Sequence, residues 1–171
     1  MSLADALTDL ANVLRAQQLL FEENTFDTMS AEIYKNLVDI LKKGRKTCKT
    51  DPMLLKIEPS VRGTIGKIAE VMEELADKAR ILAVGRELYA NPKGAGSVAA
   101  AMDALAAART PHAKMRHELE ELAGDVETAA DSVRRHGGAT NSSQSTNEER
   151  PFRAVLTRMD GEYRRGLRRS G

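Results

Sequence analysis

Between positions 98 and 133 one row of residues recurs at alternating intervals of three and four: Val98, Ala101, Leu105, Ala108, His112, Met115, Leu119, Leu122, Val126, Ala129 and Val133. The row is apolar save for His112. That period follows one face of an α-helix, and a strand would scatter the same residues over both of its faces. A second row runs Val61, Ile65, Ile68, Met72, Leu75, Ala79, Leu82, Arg86 and Tyr89, and a third runs Leu3, Leu7, Leu10, Leu14, Gln17 and Phe21. Each such stripe must be buried against another, so the chain is expected to fold as an antiparallel helical bundle. Composition agrees. Only 4% of residues are aromatic and none is Trp, which disfavours a β-sandwich, while 42% hydrophobic residues suffice for a core.

Local signals place the ends. Ser2 with Asp5 is a capping-box-like start for a helix over 2–23. After a short linker at 24–27, Asp27 or Thr28 is expected to cap a second helix ending near Lys49. Its expected apolar face is Ile33, Leu37, Ile40 and Leu41, with Tyr34 and Val38 beside it. Asp51-Pro52 opens a short helical turn. Pro59 then sits at the start of a third helix, over 59–90, in which Gly63 and Gly66 mark either close helix approach or a frayed start. The run 91–96 is a break, and Ser97 caps a fourth helix that ends at His136. Pro111 interrupts it, yet the apolar row keeps phase, so a bend is expected there and not a stop. The first two helices are shorter than the last two. Part of the third or fourth is therefore expected to be uncovered and to need a partner.

The bundle is expected to occupy 1–136, a polar linker 137–149, and an arginine-rich amphipathic helix 150–171. In that last segment Phe152, Val155, Leu156, Met159, Tyr163 and Leu167 share one face. Arg150, Arg153, Arg158, Arg164, Arg165, Arg168 and Arg169 supply the charge, with no lysine among them. Guanidinium groups favour bidentate contacts to carboxylate or phosphate. A second basic run, Lys42, Lys43, Arg45, Lys46 and Lys49, lies where a helix C-terminus favours cations.

Motifs for catalysis are not found. The three histidines are not paired at ligand spacing, and no Walker A loop, Gly-x-Ser-x-Gly or Gly-x-Gly-x-x-Gly occurs. Neither a cofactor nor a metal is expected. Cys48 stands among five bases that would lower its pKa, although a small helix residue turned inward is the plainer reading. His112, on its apolar row beside Pro111, is expected to be a buried neutral imidazole that donates to the carbonyl the bend frees on the preceding turn. Without a basic leader or a long uncharged apolar stretch, the chain is expected in the cytoplasm or nucleus. Functionally, the reading is a non-enzymatic interaction or scaffold module. Its partner is another protein or a second copy, and its arginine-rich helix meets an acidic partner. Two alternatives use the same basic elements: nucleic-acid binding, and attachment to an anionic membrane surface.

Overall fold

The computed structural model describes residues 2–91 and 97–136. Among them the fold is all-α. Four helices, α1 (Leu3–Glu23), α2 (Ala31–Thr50), α3 (Pro59–Ala90) and α4 (Val98–His136), are joined with one 3-10 turn, Pro52–Lys56. The expected helix at 150–171 and the linker 137–149 lie outside the described residues.

Caps set most boundaries. Ser2 Oγ accepts from the Asp5 amide at 3.1 Å, and Ser97 Oγ accepts from the Ala100 amide at 3.0 Å. Asp51 Oδ1 takes the Met53 amide at 2.9 Å and opens the 3-10 turn. The expected cap of α2 was displaced: the N-cap is Ser30, not Asp27 or Thr28. Residues 25–28 close a turn instead, in which the Thr28 hydroxyl receives the Thr25 amide at 2.9 Å. The turn drives Phe26 and Met29 fully into the end of the core. Burial of these two side chains outweighs the extra turn of helix the sequence offers. Arg86, the one cation on the α3 row, holds this connection. Its Nε donates to the Met29 carbonyl at 2.7 Å, its guanidinium reaches the Asp27 carbonyl at 3.1 Å, and it stacks over Tyr89.

The helices run up, down, up, down. α4 packs along both α1 and α3, α2 packs along α3, and α1 and α2 touch little. Ion pairs fix the antiparallel register: Arg134 to Asp5 at 3.6 Å, Arg45 to Glu73 at 3.1 Å, Lys35 to Glu87 at 2.8 Å and Lys78 to Glu118 at 2.7 Å. The rows read for α3 and α4 are buried almost throughout. α4 passes through Pro111 as one continuous helix.

On α2 the buried row is Tyr34, Leu37, Val38, Leu41, Gly44 and Cys48, with Ile33 and Ile40 only half-buried at its edge. The helix is thus rotated from the expected setting. Tyr34 accounts for the rotation: it lies on the row away from Ile40, wholly buried, with its hydroxyl on His112. A Cβ at Gly44 would lie 2.8 Å from Leu10 Cδ2 and 2.9 Å from Met72 Sδ, so its absence leaves room for those two side chains.

The two glycines near the start of α3 do not mark close approach. A Cβ at Gly63 or Gly66 would meet nothing within 4 Å. Gly63→Ala and Gly66→Ala are each expected to stabilise the protein by about 0.5–1 kcal/mol, the helix-propensity difference. Denaturant midpoints compared at constant slope check this, and a loss of stability would show a contact the fold does not contain.

Candidate interaction groove

α1 ends opposite His112, so residues 98–111 of α4 continue past it along α3, with Arg109 reaching Asp27 of the α1–α2 connection at 3.9 Å. His112 marks the level. Its Nε2 lies 2.8 Å from the Asn24 carbonyl, which only accepts, so Nε2 carries the proton. Nδ1 of the neutral ring must then accept, and the Tyr34 hydroxyl donates to it at 2.7 Å. Phe21 stacks on the imidazole at 4.9 Å between centroids. Burial pushes the His112 pKa down, against the opposing pull of the Asn24 carbonyl and the Asp27 charge. Burial likewise raises the Tyr34 hydroxyl well above its ordinary value, with Arg86 opposing. The ring therefore joins α4, α2 and the end of α1, and is bound to structure on both nitrogens.

Beyond this node the molecule exposes apolar surface. Ile81 is 70% exposed and Val84 53%, and Val98 and Met102 are also exposed at the same end. Ile81, Val84 and Leu88 of α3 face Ala104, Ala107 and Pro111 of α4 across a groove of about 480 Å³. The alanines make the groove: with only a Cβ each, they leave open the space that larger side chains would fill. Lys78 and Glu118 line its lower end and bridge it, and Lys114 stands on its rim.

The expected site residues on α2 divide. Lys42, Lys46 and Lys49 are exposed and fall on one outward face, since positions 42, 46 and 49 are a turn apart. Arg45 turns to Glu73. Lys43 lines a separate shallow cleft between α1 and α2 with Leu10, Val13 and Ile40. Cys48 points the other way, into the core, where burial pushes its thiol pKa up to about 11. The neighbouring bases do not activate it: Lys42, Lys46 and Lys49 project to solvent, Arg45 is paired with Glu73, and Lys43 lies in the cleft beside α1. Arg150, Arg153, Arg158, Arg164, Arg165, Arg168 and Arg169 lie outside the described residues.

Among the described residues no group of three or more His, Cys, Asp or Glu side chains is placed to hold a metal ion, and no helix is long and apolar enough to cross a membrane. Compared with protein-family models, curated proteins and solved structures, the chain finds no match. The groove's signal in the sequence is three apolar residues lying off the α3 row, Ile81, Val84 and Leu88, at the level of the alanine-rich stretch of α4.

Proposed function

We propose that this chain is a non-enzymatic interaction module whose α3–α4 groove receives the apolar face of a helix. The observation that carries the reading is the groove itself, in which exposed Ile81 and Val84 stand opposite the alanine row of α4. Two helices presenting an apolar trough take a third helix by the packing that holds bundles together, at an axial separation of about 8–10 Å. Exposed apolar side chains that cluster in this way mark contact surfaces, whereas isolated ones do not.

The lysine face of α2 supports a second reading, contact with phosphates. Lys42, Lys46 and Lys49 would displace about three counterions, which gives weak and strongly salt-dependent binding. The groove offers more desolvated area to one partner, and the protein-binding reading is favoured for that reason.

The test is a photo-crosslinking residue, p-benzoylphenylalanine, placed at Ala107 in the full chain and irradiated in cells. Intermolecular covalent products, heavier than the chain alone, are expected at Ala107 and not at Ala16, which is exposed on α1. Ile81→Glu should abolish them. Absence of product at Ala107, or equal capture at Ala16, would overturn the reading.

A further inference from the structure

The groove does not stop at Pro111. Helix rows continue by seven residues, two turns on the same face. On α3 this places Glu74 below Ile81. On α4 it places Glu118 and then Asp125 below Pro111, and Glu121 below Lys114. Glu74, Glu121 and Asp125 are exposed, and Glu118 is tied to Lys78 at 2.7 Å. The α3–α4 face is therefore apolar towards the start of α4 and acidic towards its end. At the apolar extremity Asp103 is exposed, and α3 finishes with no basic residue in its last turn, so its terminal carbonyls present negative potential.

One segment of this chain has the complementary pattern. In 150–171 the residues Phe152, Val155, Leu156, Met159, Tyr163 and Leu167 recur at the spacing of one helical face, with seven arginines among the rest. From Phe152 to Leu167 a helix rises about 22 Å, and from Ala104 to Glu118 the groove wall of α4 rises about 21 Å. The connection also fits. Glu118 is eighteen residues before His136, about 27 Å along the axis. A chain of thirteen residues, the length of 137–149, would span about 20 Å if relaxed and at most about 45 Å if extended. The segment would enter at the acidic end and run antiparallel to α4. Arg150, Arg153 and Arg158 would then lie near Glu74, Glu121 and Asp125. Arg164, Arg165, Arg168 and Arg169 would lie near Asp103 and the end of α3. Two lysines oppose this charge match: Lys78, already held by Glu118, and Lys114.

We propose that residues 150–171 occupy the α3–α4 groove of their own chain and act as a cover that a partner helix must displace. The inference rests on the groove being a helix-binding surface, as argued above. Tethering favours this occupant, because a short linker holds the segment at millimolar effective concentration.

The purified full chain, with p-benzoylphenylalanine at Ala107, is irradiated at sub-micromolar concentration and digested for mass spectrometry. The expected product is monomeric, with position 107 joined to peptides from 150–171. Its yield should fall at least roughly tenfold in Leu156→Asp/Met159→Asp, because two apolar contacts are replaced by charges. A dimeric product, or no product in 150–171, overturns the cover. If the purified chain gives none while the crosslink in cells persists, the cover fails and the groove stands. Absence of product in both experiments removes both readings.

Discussion

Replacing His112 with leucine is expected to lower stability by about 2–4 kcal/mol, although leucine fits an apolar row. The substitution leaves two partners unmet, the buried Tyr34 hydroxyl and the half-buried Asn24 carbonyl. Each such orphan costs about 1–3 kcal/mol, and at about 3–5 °C per kcal/mol the melting temperature should drop by roughly 10 °C. Adding Tyr34→Phe should recover part of the loss, since removing both members of a hydrogen-bonded pair costs less than removing one. The parent carries a pH signature that the variant lacks. The folded His112 pKa is held below the ordinary value of about 6.5, so the unfolded chain binds the proton more readily. The contribution of His112 is therefore complete above about pH 6.5 and is lost as pH falls from there towards the depressed folded value. Thermal melts of parent and His112→Leu from pH 5 to 8 should diverge most at the upper end and converge at the lower. Parallel profiles would mean that the buried ring does not titrate with unfolding.

The rows of α3 and α4 could be read from the sequence because each is long. Over nine or eleven consecutive positions the three-four alternation admits one face only, and Pro111 does not break the phase. The caps Ser2 and Ser97 were equally plain, since a hydroxyl precedes a periodic run in each case. The loop before α2 was not. Phe26 and Met29 lie three apart beside Thr28, a pattern that suits a helix start as well as a plugged turn, and only the open end of the bundle selects the turn. The Tyr34–His112 pair is half legible: a buried neutral imidazole is expected, but its carbonyl acceptor is Asn24 at the end of α1 and not the preceding turn of α4, and a hydroxyl donor seventy-eight residues away is set by helix register alone.

The groove was hidden for a related reason. It is made where two helices each present residues that are unremarkable singly. Ala104 and Ala107 read as ordinary helix formers, and Ile81 and Val84 as stray apolar positions. Only the end of α1 at the level of His112, together with α3 and α4 continuing side by side, turns them into one surface. The same logic explains why the basic run of α2 did not form a single patch. Five cations within eight residues spread around the helix, so that Arg45 and Lys43 leave the face that Lys42, Lys46 and Lys49 share.

The rotation of α2 can be measured by a pair of substitutions. Leu41→Ala is expected to cost about 2–5 kcal/mol, as large-to-small changes do at fully enclosed core sites, while Ile40→Ala should cost about 1 kcal/mol. The two residues are neighbours in sequence with side chains of the same volume, so the difference reports their faces. Leu41 is wholly buried, and Ile40 lies half-open beside the cleft between α1 and α2. Midpoints of urea unfolding at unchanged slope give both values. Equal losses, or a larger one at Ile40, would restore the setting that simple periodicity gives, with Ile33 and Ile40 inward. Periodicity alone cannot choose, because Ile33, Tyr34, Leu37, Val38, Ile40 and Leu41 populate two adjacent rows about equally. The choice falls to Tyr34, which lies on the row away from Ile40 and is wholly buried with its hydroxyl on His112. Rotating α2 to bury Ile40 would turn Tyr34 and Val38 outward and break that hydrogen bond, at a cost that one extra buried isoleucine does not offset.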